Sequence, residues 1–438
     1  MPPGPRLPPP THRFRLANGL SVILAPVAGS PTASVWVWYR VGSKNEWPGV
    51  TGVSHWVEHM LFEGSPHYRK GAIDRAVSGV GGSLNAFTEY DFTAYFTTVP
   101  REHLGVPLDI EADRMTRSSL TPEEVERERV VILSEREGNE NWPEFRVDEE
   151  LYSLAYRHHP YRWDPLGRPD DIRSLTPAQL ADYYHRFYGP RNATLVVTGG
   201  FDPVSVAADV RRRFSSLPAT GADPTVREHE DPQRGERRAT LRGPGTTPIV
   251  EVAWHAPPWG DRRTAAALLL DVVLGGESRL FSSGFGFGRT PEHPAARLYR
   301  ALVDTGLAIR ASSEYRPKQH PGLFSVGAQA VHGVPAARIE EVLLREVDRF
   351  AKHGPTVREL AEARVKIEQG AALAYEGATL MGFRLGYFSL FGPEPYEGRL
   401  LRQALRMPIA EVRAAGAELL GNENRCVVHF EPDGGPRA

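Results

Sequence analysis

Cysteine is nearly missing from this chain: Cys426 stands alone among 438 residues. That excludes an intrachain disulfide framework and a zinc site built on thiolates, and it accords with a reducing, cytoplasmic setting. Charge of one sign is missing too. Lys and Arg total 52 against 54 for Asp and Glu, a net charge of -2, so no overall field would draw nucleic acid or an anionic membrane. No run of about 18 apolar residues occurs, which leaves no helical membrane span. The opening MPPGPRLPPP has no apolar core segment, so residues 1–12 read as an extended proline-rich tail and not as a secretory signal. What remains is of ordinary globular composition, 41% hydrophobic and 24% charged, with length for two or three domains.

The most informative stretch is TGVSHWVEHMLFEG, residues 51–64. Read as a helix, it places Val53, Trp56, Val57, Met60 and Leu61 on one apolar face, with Thr51 as the cap and Gly64 as the stop. His55, Glu58 and His59 fall on the opposite face. Imidazoles at i and i+4 stand one turn apart, close enough to share a tetrahedral ion about 2.0–2.1 Å from each nitrogen. Glu58 lies on the same surface without having to be a ligand, which suits a base acting on water beside a metal. With 15 His in the chain, the other reading of this pattern is a polar face bearing two solvated histidines.

Around it the order of elements is that of an α+β protein. A hairpin about Asn18-Gly19 spans 13–27 and a strand covers 32–41, followed by the motif helix and a helix over 70–80. Two aromatic and β-branched strands then occupy 83–100, with a turn near 89–91. Helices are expected at 101–118, 122–138, 144–157 and 176–188, then a strand at 193–199 and a further helix. The helix from 122 opens on the capping box Thr121, Pro122, Glu124. Along it Glu128 and Glu135 are two turns apart on one face, flanked by apolar residues; they form either a metal-related pair or an Arg-paired solvated face. His158 and His159, in a loop before proline, read as hydrogen-bonded structure. The first domain thus covers 13–217. Residues 218–243, charged and rich in Gly and Pro, read as a linker. Residues 244–438 repeat the element order without a second HxxEH, as in a duplication whose second copy lost its chemistry. Residues 275–294, rich in Gly, Phe and Ser, read as a surface loop, with a substrate-contacting flap as the other reading.

These residues resemble the pitrilysin-type inverzincin metallopeptidases, the family of mitochondrial processing peptidase and insulysin. The resemblance rests on FRLANGLSVI, HWVEHMLFEGS, GGSLNAFTEYDFTAYF, ERERVVILSEREG and FYGPRNATLVVTGGFDP, found in that order. It implies two related domains, each a mostly antiparallel sheet flanked by helices, forming half of a clamshell. It also implies Zn2+ held by His55, His59 and Glu135, with Glu58 as the base and Glu128 supporting from behind. Asn85, Ala86 and Phe87 would lie on an edge strand that pairs with an extended peptide substrate.

One departure bears on function. The resemblance implies, for many active members, an Arg followed seven residues later by a Tyr in a stretch like LRxxxGLAY. Here the matching LYRALVDTGLAIRAS, residues 298–312, has Leu302 or Val303 and then Ile309. Arg300 and Tyr315 lack the spacing to substitute. The resemblance therefore implies a heterodimer in which a homologous subunit supplies that pair. The competing expectation is a non-catalytic scaffold subunit of the same fold.

Overall fold

In the computed structural model, residues 10–278, 280, 293–392 and 396–433 are described; most of the expected loop at 275–294 lies outside them. Two sheets organise the chain. The first contains β1 (His12–Arg15), β2 (Ser21–Pro26), β3 (Thr32–Tyr39), β4 (Ser83–Thr88), β5 (Thr93–Pro100) and β6 (Ala193–Gly199), in the order β1-β2-β6-β3-β5-β4. The second contains β7 (Arg237–Gly243), β8 (Ile249–Ala256), β9 (Ala308–Tyr315), β10 (Gly322–Ala330) and β11 (Arg425–Pro432), in the order β7-β11-β8-β10-β9. Each sheet is antiparallel except for one parallel pair, β2 with β6 and β7 with β11. The strand order of the second therefore repeats that of the first once β1 is set aside. The fold is α+β with two related sheets.

The helices of the first half are α1 (Val53–Glu63), α2 (Ala72–Ser78), α3 (Gly105–Arg117), α4 (Pro122–Glu140), α5 (Pro143–Ala155), α6 (Pro169–Ser174), α7 (Pro177–Phe187) and α8 (Pro203–Phe214). Those of the second are α9 (Thr264–Gly275), α10 (Ala336–His353), α11 (Val357–Leu373), α12 (Ala378–Ser389), α13 (Tyr396–Arg406) and α14 (Ile409–Leu419). Among the described residues no helix is long and apolar enough to cross a membrane.

The stretch expected to be a linker ends in a strand. Residues Arg237–Gly243 pair in parallel with β11 along their whole length. Their half-buried residues, Arg237, Ala239 and Leu241, alternate with exposed ones, a period of two that the surrounding charge obscures. In the repeat, β7 is the counterpart of β2.

Helices are also exchanged between the halves. Helix α5 packs on β7, β8 and β11 of the second sheet, and α12 packs on β3 and β6 of the first. Trp36 and Trp38 stack 5.5 Å apart on the first sheet and meet Phe383 of α12 edge-on. Gly382 and Gly386, one turn apart, permit this approach: a Cβ on Gly386 would lie 1.9 Å from Trp38 Nε1. The opposite face of the first sheet buries Trp56, Met60 and Leu61 of α1 completely. Each such side chain contributes about 1.5–3 kcal/mol relative to exposure, which anchors the motif helix on its apolar stripe.

Candidate metal centre

The start of α1 is held differently from the expectation. Thr51 is not the cap; its hydroxyl donates to Asp171 Oδ2 at 2.6 Å and accepts from the Arg168 N–H at 2.9 Å. The residue at the helix boundary is Gly52, with φ +87°, where a Cβ would sit 2.8 Å from Leu166 O. The orphan amides of the first turn go instead to Glu46, which accepts from Gly52 N at 2.7 Å and Ser54 N at 2.9 Å. Burial pushes the Glu46 carboxyl up to about 8 while those two N–H groups pull against it. A carboxylate six residues upstream, outside any helix, carries no short-range pattern by which it could be found.

On this anchored helix the polar face is covered as well. His55 is 7% exposed and Glu58 8%, which excludes a pair of solvated histidines. The capping box of α4 forms as expected, Thr121 Oγ1 accepting from Glu124 N at 3.3 Å. Helix α4 then brings Glu135 to both imidazoles. His55 Nε2 and His59 Nε2 are 3.2 Å apart, and Glu135 Oε2 is 3.7 Å from the first and 3.4 Å from the second. A tetrahedral ion with ligands at 2.0–2.1 Å has edges of about 3.3–3.4 Å, so this triangle is the base of such a site. Among the described residues it is the one cluster of three His, Cys, Asp or Glu side chains able to hold an ion. His59 Nδ1 meets Glu128 Oε1 at 2.7 Å, so when the ring gives up its second proton to an ion, Nε2 is the nitrogen that ligates.

The electrostatics call for a cation. Burial, aided by His59, pushes His55 down to about 4, so it stands neutral. Burial alone would lower His59, but hydrogen bonds to Glu128 and Glu135 outweigh it and push the ring up to about 10. The His59 hydrogen bond holds Glu135 below its ordinary value. Burial pushes Glu58 up to about 7, opposed by a 2.6 Å hydrogen bond from Thr88 Oγ1. A carboxyl poised there can take up and release a proton near neutrality. Thr88 was not among the expected residues; the period of two along β4 places it on the same face as Ala86.

Among the described residues strand β4 pairs with β5 alone and forms the edge of its sheet. A cavity of about 910 Å³ opens beside it, reached by His55, Glu58, Glu135, Ala86, Phe87 and Thr88 from one side and by β9 and β10 from the other. Of the three expected peptide-contacting residues, Ala86 and Phe87 line this chamber, whereas Asn85 is exposed on the strand outside its lining. The Phe87 ring lies on the opposite face from Ala86, stacked on Phe383 at 5.9 Å. Leu302 is fully buried in the core of the second half, and Ile309 is 51% exposed. Ile309 sits at an irregularity of edge strand β9, where Ala308 pairs with Ala330 and Arg310 with Gln329. Tyr315 is buried and donates to Pro257 O at 2.6 Å, and Arg300 lies 3.5 Å from Glu359; neither lines the chamber. A cation does reach it from this strand: Arg310, which bonds Glu144 at 2.5 Å. His159 is structural in its near contacts, its Nδ1 accepting from Tyr161 N at 3.1 Å.

The family profile described as Insulinase (Peptidase family M16) matches residues 21–168, and that described as Peptidase M16 inactive domain matches residues 174–366. The chain is 30% identical over 368 residues to zinc protease PqqE of Helicobacter pylori, covering 83% of this chain and 79% of that protein. It is 24% identical over 437 residues to the beta subunit of the mitochondrial-processing peptidase of Blastocladiella emersonii, covering 97% and 89%. The crystal structure of a protease from Helicobacter pylori superposes with a TM-score of 0.90 at 23% identity, over 97% of this chain and 100% of that one.

Proposed function

The chain belongs to peptidase family M16, and from that premise we propose that it is the metal-bearing subunit of a zinc endopeptidase acting on extended or unfolded peptides. The observation that carries this reading is the triangle of His55 Nε2, His59 Nε2 and Glu135 Oε2, with edges of 3.2, 3.7 and 3.4 Å, beside a buried carboxyl on the same helix. These three atoms would hold Zn2+, which would supply Lewis acidity toward water and a peptide carbonyl. Glu58 then takes the proton of the attacking water and passes it to the leaving amine, its carboxyl being held near neutrality by burial. Thr88 donates to one Glu58 oxygen and so leaves the other free for that proton. Glu128 holds the His59 ring in the tautomer that presents Nε2. Edge strand β4 offers its unpaired backbone to an extended chain, which favours leader or processing peptides over folded domains.

A homologous partner completes the site in this proposal, because Leu302 or Val303 and then Ile309 stand where the family resemblance sets Arg and Tyr. The single Cys426 favours the cytoplasm. The second reading, a non-catalytic scaffold subunit, draws on the same two positions; against it stand Glu58 and a full donor set that a scaffold has no use for. An assay separates them: wild-type chain mixed with an Arg/Tyr-bearing homologue is presented with a library of unstructured peptides. Cleavage that disappears in Glu58→Gln while zinc is retained is the expected outcome. Absence of cleavage by the wild-type mixture would defeat the enzyme reading, and robust turnover by the isolated chain would defeat the partner.

A further inference from the structure

In the stretch ERERVVILSEREG each α4 carboxylate at the metal centre is followed by an arginine, Glu128 by Arg129 and Glu135 by Arg136. One helical step turns the side chain by about 100°, so each arginine leaves the metal face and meets other neighbours. Arg129 lies 4.8 Å from the centre of the Trp56 ring and donates to the carbonyls of Ile172 and Leu175, which fixes α4 beside Glu128. Two turns further on, Arg136 is held by α5. It is 4% exposed, and its guanidinium lies 4.9 Å from the centre of the Phe145 ring. Its Nη2 donates to both Glu149 oxygens at 2.6 and 2.8 Å, and its Nε donates to Glu140 Oε1 at 3.0 Å. Phe145 and Glu149 stand one turn apart on α5, so a single face of that helix closes over the guanidinium.

The two glutamates differ in what else holds them. Among the described residues the Glu135 carboxylate meets no side chain except the two imidazoles, at 3.4 and 3.7 Å, and it is 41% exposed. Its reach is therefore set by where the backbone of α4 places it. Arg136 is the next residue on that backbone, and a guanidinium buried this far cannot move off Glu149 without stranding a charge. Helix α5 is in turn fixed to the second half: Val147 and Leu151 share a buried cluster with Ile249, Val428 and Phe430 of the second sheet. A line of packed groups thus runs from the second sheet through α5 and Arg136 to the third donor of the triangle.

On the metal-centre reading above, we propose that Arg136 is a positioning residue for that centre: gripped by Phe145 and Glu149, it fixes the last turns of α4 against α5 and so holds Glu135 at its place in the donor triangle. Through α5 the second half supports a site to which it supplies no ligand.

The test is zinc competition between the full chain and a chromophoric chelator, with melting of the zinc-free proteins alongside. Arg136→Met is expected to lower zinc affinity about tenfold, the lower end of the range for residues that orient ligands. Arg136→Lys, which keeps the charge but loses the planar fork, and Glu149→Gln, the milder change for folding, are each expected to lower it by a smaller factor. In a Glu135→Ala background, where two imidazoles still bind zinc, none of these changes is expected to lower affinity further, because the clamp acts through Glu135. A purely structural role would lower affinity equally in both backgrounds. That result overturns the proposal, and so does unchanged zinc affinity in a folded Arg136→Met or Glu149→Gln chain. A wild-type chain that binds no zinc at neutral pH overturns the metal-centre reading and this proposal with it.

Discussion

Replacing Glu128 with Gln removes a charge while leaving an acceptor 2.7 Å from His59 Nδ1. The carboxylate is buried, so solvent screens the interaction little. A hydrogen bond to a charged group is worth about 1.5–3 kcal/mol and a neutral one about 0.5–1.5 kcal/mol, so Glu128→Gln should cost about 1–1.5 kcal/mol of metal binding, or about 5- to 12-fold in affinity. Glu128→Ala removes the acceptor altogether and releases the ring to either tautomer, which places it toward the upper part of the 10–100-fold range for supporting residues of this kind, about that much below wild type. The assay is competition for zinc against a chromophoric chelator at fixed pH, with melting of the zinc-free proteins as the control for folding. The reasoning requires the order wild type, Gln, Ala. Equal affinities for all three, or equal losses for Gln and Ala, would refute the claim that the charge and the orientation of His59 matter separately.

Thr121→Ala, which removes the side-chain cap of α4, should lower stability by about 0.5–2 kcal/mol in denaturant titrations, with zinc affinity falling because α4 carries Glu128 and Glu135. Gly386→Ala should destabilise by more than a surface change, on the order of 1–3 kcal/mol, and alter tryptophan emission, because its Cβ meets the buried Trp38 indole; a neutral effect would contradict the placement of α12 on the first sheet. The His429 and Arg238 hydrogen bonds hold Glu340 down at about 2, against an ordinary 4.5. Its stabilising contribution is therefore complete above pH about 4.5 and lost as pH falls from there toward 2, and Glu340→Gln should flatten that part of the acid-unfolding curve.

The motif helix was legible because its signal is local: a 3.6-residue period sorts Trp56, Met60 and Leu61 from His55, Glu58 and His59, and all six keep those faces. The same holds for the capping box at Thr121 and for strand β6, which spans Ala193–Gly199 as expected. What escaped depends on long-range packing. Glu46 caps α1 from outside any periodic element, and Thr88 reaches Glu58 across 30 positions of chain. Strand β7 is nearly all charge and small residues, so its alternation emerges only beside β11. The exchange of α5 and α12 between the halves leaves no local trace except the two glycines that meet Trp36 and Trp38. Leu302 illustrates the reverse. The sequence has no arginine at Leu302 or Val303, but only the structure shows that Leu302 is buried in the core while Val303 is half-buried.

Anomalous diffraction at the zinc edge from crystals of the full chain tests the central claim most directly. The account predicts one peak per chain, about 2.0–2.1 Å from His55 Nε2, His59 Nε2 and a Glu135 carboxylate oxygen, and none in His55→Ala crystals. A peak elsewhere, or zinc held with Glu58 in place of Glu135, would contradict it.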